Sequence, residues 1–239
     1  MTQATDVRPT DPLPLVLLVL TATTGLVDSV SVLGLGQVFV ANMTGNTVFL
    51  AFAVADVVGF EAARYLVAVA AFLAGAAVAG LLAERLQTGP RRRWLVAVAV
   101  LEAALLAGAS LWAIGYDPSR LAPPTAFYGM IILTALAMGL RNATVRRLSV
   151  PDLTTTVLTL TFAGFAADAA SGKGRTSVGR RVGAAACLFA GAIVGALMVK
   201  QLGLAPPLAL AALLVLAPTV AYAWHPASGA RSDEPRKGG

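Results

Sequence analysis

The residues able to do chemistry are few, and they sit inside long apolar runs. Asp28 interrupts "TGLVDSVSVLGLG", Glu102 stands alone between the uncharged stretches 94–101 and 103–116, and Arg141 with Asn142 follows "ALAMGL". A carboxylate in hydrocarbon costs several kcal/mol as an order of magnitude, so it needs a partner, water, a proton or a cation. Thr44, Gly45 and Asn46 break the run "VANMTGNTVFLAFAVAD", which closes on Asp56. Hydroxyl and amide groups there can cap a helix or bind a polar solute, and glycine permits close approach. A helix N-terminus at membrane depth also offers a positive dipole end, suited to an anion or a polar group. The threonine-rich "TTTVLTLTFAGFAAD" supplies Thr156 and Thr159 and closes on Asp168. The candidate solute or ion site is therefore Asp28, Thr44, Gly45, Asn46, Asn142, Thr156 and Thr159. Glu102, Arg141, Asp56 and Asp168 are secondary candidates.

Each candidate has a structural alternative. Asp28 can bond Ser29, Ser31 or backbone, and threonines can bond their own helix. Asp56 and Asp168 can pair at the membrane surfaces with Arg64 and with Lys173 or Arg175. Glu102 can be protonated or paired with an inward Asn or Thr. Arg141 is expected to reach the interface and join Arg146 and Arg147 in a basic patch. A direct pair with Asp28 is not expected, because inverted helices place the two about 14 Å apart in depth at about 1.5 Å per residue.

Enzyme chemistry has little to stand on. The single histidine, His225, follows the last apolar run, and the single cysteine, Cys187, lies inside one. No phosphate-binding GxxxxGK[ST] motif and no zinc-ligand series occurs. No catalytic residue, cofactor or metal is expected, and the chain is read as a non-enzyme.

The elements that position these groups follow from composition. The chain has 239 residues, 57% hydrophobic and only 13% charged, with a mean hydropathy of +0.77. Soluble domains are nearer about 25% charged. Residues 13–27, 65–83 and 204–224 carry no charge at all. Such lengths suit a membrane core about 30 Å thick. An all-α polytopic membrane protein follows, with apolar segments at 13–34, about 44–58, 62–86, 92–115, 126–147, 154–169, 180–200 and 204–224. The first is read as a retained helix, since "MTQATDVRPTDPLP" has neither a basic n-region nor a small-residue cleavage site.

Charge placement sets the number of crossings. If all eight segments span, the arginines at 91–93 and 146–147 face outside, against the positive-inside rule. If 44–58 and 154–169 dip in and return, the basic clusters at 85–93, 146–147 and 173–181 share one side with both termini. Six crossings plus two short re-entrant or broken helices are therefore expected, both termini cytoplasmic; the rival is one full span from about Val38 to Gly59. The net charge of +6 is spread over short loops, which argues against nucleic acid.

The chain also repeats at an offset of about 112 to 115. Gly25-Leu26-Val27-Asp28 aligns with Gly139-Leu140-Arg141-Asn142, and small residues four apart recur at Ala71, Gly75, Ala79, Ala83 and at Gly183, Cys187, Gly191, Gly195. Three crossings per half makes the two pseudo-repeats inverted, an architecture common in transporters. The expected layout is a cytoplasmic lead at 1–12, repeats at 13–115 and 126–224, an external linker at 116–125 and a cytoplasmic tail at 225–239.

The stretches "GLVDSVSVLGLGQVFVANMTGN" and "ALAMGLRNATVRRLSVPDLTTTVLT" resemble the YoaK family of bacterial inner-membrane proteins, over about 13–224. The resemblance implies six spans and supplies no substrate. It marks Gly25, Asp28, Phe39, Thr44, Gly45, Asn46, Gly139, Asn142, Thr156 and Thr159. One departure is Thr159-Leu160, where family members often carry Thr-Gly. The expected function is a small secondary transporter or permease for a polar or anionic solute; the alternative is a non-transport scaffold, sensor or partner subunit. The expected partners are the lipid bilayer and a small solute, with a homo-oligomer left open and no nucleic acid.

Overall fold

The computed structural model describes residues 12–86, 91–148 and 175–225. Six helices in them are long and apolar enough to span a bilayer. They are α1 (Leu13–Gly34), α3 (Ala62–Leu86), α4 (Arg91–Trp112), α5 (Pro124–Leu148), α6 (Arg175–Leu202) and α7 (Ala205–Ala223). The seventh, α2 (Met43–Val54), has 12 residues and measures about 18 Å, too short to cross. Local chemistry sets several ends. Pro14 lies in the first turn of α1 and Pro206 in that of α7, where the missing N–H costs nothing. Gly203, with φ of 82°, separates α6 from α7. The helix expected at 44–58 stops early, because Asp56 (φ 55°) and Gly59 (φ 93°) take left-handed conformations. The segment expected at 154–169, with Thr156, Thr159 and Asp168, lies outside the described residues.

Two apolar clusters establish the direction of every span. One gathers Leu13 and Leu17 of α1, Ala83 of α3, Trp94 of α4, Val145 of α5, Ala184 of α6 and Tyr222 of α7. These lie toward the starts of α1, α4 and α6 and toward the ends of α3, α5 and α7. The other cluster holds the opposite ends, including Leu35, Tyr65, Ala109, Phe127 and Leu204. Thus α1 and α3 run in opposite directions although α2 lies between them. The chain returns to the face from which it entered α2, so a full span from Val38 to Gly59 is excluded. Likewise α5 ends and α6 begins at the same face. Exposed Arg85, Arg92, Arg93, Arg146 and Arg147 lie at this face.

The internal repeat appears as two equivalent helix seams. In the α1–α6 seam, a Cβ on Gly25 would strike the Leu188 carbonyl and Ala192 nitrogen, and one on Gly191 would strike the Ala22 carbonyl. In the α3–α5 seam, a Cβ on Gly139 would strike the Phe72 carbonyl and Ala76 nitrogen, and one on Gly75 the Leu136 carbonyl. A shift of 114 residues carries α1 onto α5 (22 to 136, 25 to 139). A shift of 116 carries α3 onto α6 (72 to 188, 75 to 191, 76 to 192). The small-residue stripes are thus the surfaces on which backbones touch. Each seam joins a helix of one half to a helix of the other, while α4 packs on α7 across the middle.

Candidate functional site

After Gly34 the chain turns at Gly36 and Gln37, both with positive φ. It then doubles back through the non-helical stretch 38–42 before α2 rises again. Val38, Val40 and Ala41 are buried there. Extended backbone at membrane depth must find internal partners for its N–H and C=O groups. Two of the predicted side chains supply them. The Asn46 amide oxygen accepts from the Phe39 N–H at 2.9 Å, and its nitrogen donates to the Phe39 carbonyl at 2.5 Å. Asp28 Oδ1 accepts from the Ala41 N–H at 3.2 Å. The two residues hold this irregular stretch at two points, Asn46 at Phe39 and Asp28 at Ala41.

These contacts revise the expected roles of the Thr-Gly-Asn element. Asn46 is fully buried and acts as a peptide mimic, with both ends spent on Phe39. Gly45 lies under the Phe39 ring, which would collide with a Cβ. Thr44 is exposed. None of the three lines a cavity with Asp28. The hairpin is pinned to α3 by aromatic packing, with Phe49 at 6.0 Å from Phe39 and 5.7 Å from Tyr65. Arg64 is buried and donates to the Gly59 carbonyl. The surface pair expected between Arg64 and Asp56 does not form; Asp56 is exposed on the loop. The Tyr116 hydroxyl donates to the Gly34 carbonyl at 3.0 Å and ties the α4–α5 linker to the top of α1. Burial, then the charge of Asp117, pushes this phenol up to about 12, so it stays a donor at neutral pH.

Asp28 lines a cavity of about 540 Å³ between α1, the 39–42 stretch and α6. Thr24, Ser29, Phe39 and Asn42 share the lining, with Leu188, Phe189 and Ala192 from α6. Sequence reasoning missed Thr24, Ser29 and Asn42. Ser29 is legible as a polar neighbour, but its Oγ donates across the seam to the Ala192 carbonyl at 2.8 Å, which requires knowing that α1 meets α6. Asp28 puts a carboxylate into this cavity, beside the stretch that leads into α2. An anionic solute is therefore disfavoured in this cavity.

A second polar cluster lies nearer the opposite face. Arg141 and Glu102 are 1% and 2% exposed. Arg141 Nε donates to Glu102 Oε1 at 2.6 Å, and Nη2 contacts the same oxygen. Nη1 donates to the Leu20 carbonyl and to Thr24 Oγ1, each at 3.0 Å. Arg141 therefore does not join the surface patch of Arg146 and Arg147, and Glu102 is paired with a base instead of an Asn or Thr. A guanidinium buried in hydrocarbon gains more from a carboxylate and two oxygens than its stem gains by reaching the interface. A cavity of about 30 Å³ adjoins the pair, lined also by Thr144 and Thr219. It has room for one or two waters. Arg141 meets α1 at Thr24, one turn from Asp28. Asn142, the counterpart of Asp28, is half-buried on α5 and donates to the Met138 carbonyl at 2.9 Å.

Comparison with known proteins agrees with this architecture. Residues 16–221 match the family described as protein of unknown function DUF1275. The chain is 31% identical over 147 residues to the UPF0700 transmembrane protein YoaK of Bacillus subtilis (strain 168). That match covers 61% of this chain and 62% of the relative, less than two thirds of its length. No solved structure matches the chain. With the family match spanning nearly all the described helices, the chain belongs to the YoaK/DUF1275 family of bacterial multi-span membrane proteins.

Proposed function

We propose that this protein is a small secondary transporter or permease that moves a polar solute across the bacterial inner membrane. One observation carries the reading: Asp28, at the foot of a re-entrant hairpin, lines a cavity of about 540 Å³ inside an inverted repeat. Broken backbone at membrane depth is tolerated where it is buried in protein or lines a cavity. Asp28 is the coupling group, exchanging a proton or a cation as the solute binds and leaves. The negative charge in the cavity favours a neutral or cationic solute over the anionic one that the helix terminus alone had suggested. The basic face, with Arg85, Arg92, Arg93, Arg146 and Arg147, is assigned to the cytoplasm. On that assignment α1 begins and α7 ends at the cytoplasmic face. No catalytic role is assigned to any residue.

The test is solute uptake by proteoliposomes of the purified chain, under an imposed proton or sodium gradient. Asp28→Asn keeps the acceptor for the Ala41 N–H and removes the charge. Gradient-driven flux should fall at least tenfold in that variant while the protein stays folded. Equal flux through Asp28→Asn, or no solute class moving faster than in empty vesicles, rejects the proposal.

A further inference from the structure

We infer that the Asp28 cavity takes a small lipophilic monocation, its charged centre against the Asp28 carboxylate and its apolar body against Phe39, Leu188, Phe189 and Ile193. This names the substrate class of the same site and rests on the transport reading for the cation's passage, though not for its binding. Four observations carry it. First, the cavity falls within the range of about 300–1,000 Å³ of small-molecule sites. Second, among the described residues Asp28 is the one charged side chain in its lining, and the cation whose charge reaches it, Arg141, is engaged by Glu102.

Third, the hydroxyls in the lining already donate elsewhere. Thr24 Oγ1 donates to the Leu20 carbonyl at 3.0 Å, and Ser29 Oγ to carbonyls of Gly25 and Ala192. An anion would find few donors, whereas a cation needs only the carboxylate and the faces of Phe39 and Phe189. Fourth, the rim is apolar and turned outward: Leu33, Phe189 and Ile193 are 56%, 67% and 45% exposed on the membrane-facing side of spanning helices. A ligand dissolved in the bilayer reaches the cavity past these side chains, which selects an apolar body. The Ala41 N–H holds the carboxylate in place without cancelling its charge.

The experiment uses two probes of one shape and opposite charge, tetraphenylphosphonium and tetraphenylborate, titrated onto the full chain in detergent by calorimetry. The phosphonium should bind saturably, with affinity at least tenfold weaker in Asp28→Asn and several-fold weaker in Phe189→Ala. Phe189 is exposed, so its truncation leaves the fold intact. Tetraphenylborate should show no dependence on Asp28. Equal binding of both probes, or phosphonium affinity unchanged in both variants, overturns the inference. Repeating the titration in phosphatidylglycerol nanodiscs, with and without phosphatidylethanolamine, separates two sources of cation. Competition supports a lipid head-group amine as occupant, and its absence supports a free cation. Saturable phosphonium binding without any flux upholds this inference and removes the transport reading. Asp28-dependent flux of neutral solutes without phosphonium binding does the reverse.

Discussion

The α1–α6 and α3–α5 seams share one backbone arrangement and differ in charge. At the first, Asp28 faces a cavity and Ser29 bridges to α6. At the second, the position equivalent to Asp28 is Asn142, bonded to its own helix, and the position equivalent to Val27 is Arg141, buried against Glu102. Glycine positions are matched across the halves because backbone contact tolerates no Cβ. Charged positions are not matched, because a charge is placed by what surrounds it. The seams are scaffold, and the asymmetry laid on them is where chemistry can differ between the two faces of the membrane.

The comparison breaks most severely at the ion pair. Glu102→Ala strands Arg141 in the apolar interior, a loss of about 3–5 kcal/mol, read as a fall in thermal unfolding temperature in detergent. The double variant Glu102→Leu with Arg141→Met should recover much of it, since no charge remains unpaired. If the single variant unfolds like wild type, the pair is not the lock between α4 and α5. Next come the glycines. Gly25→Ala and Gly139→Ala should each cost about 1–3 kcal/mol. They should cost alike if the seams are equivalent, and a several-fold disparity would show that one seam yields more readily. The hairpin holds a comparable effect and the smallest one. Asn46→Ala leaves both polar groups of the part-buried Phe39 peptide without their side-chain partner, costing about 1–3 kcal/mol. Thr44→Ala, at an exposed position, should change the melting temperature hardly at all.

Much of the fold was legible because lipid leaves few options. The apolar segments read at 13–34 and 62–86 match α1 and α3 to the residue, and the basic clusters required that the chain turn back after α1. The Gly-rich stripes announced close packing, but only coordinates could say that α1 meets α6 instead of α3. The site was less legible. Asn46 has the same side chain whether it binds a solute or satisfies a loop peptide, and its true partner is a backbone seven residues away. For Arg141 the repeat points to Asp28 and the long stem points to the patch of Arg146 and Arg147, and neither is its partner. A different signal was present. Glu102 lies about 16 Å along α4 from Arg91, and Arg141 about 10 Å along α5 from Leu148, on helices that start and end at the same face. Two unlike charges at similar depth, each the one charge away from the ends of its helix, each need the other.

The crossed pairing of the halves also bears on how the protein is made. Ser29 and Ala192, joined across the α1–α6 seam, are 163 residues apart in the chain. The glycine face of α1 enters the bilayer long before α6 has left the ribosome. Until then lipid or a chaperone must cover that face and the Asp28 carboxylate beside it. Assembly is thus gated by the last third of translation, and a chain truncated before α6 would leave the span that carries Asp28 waiting for a partner that never arrives.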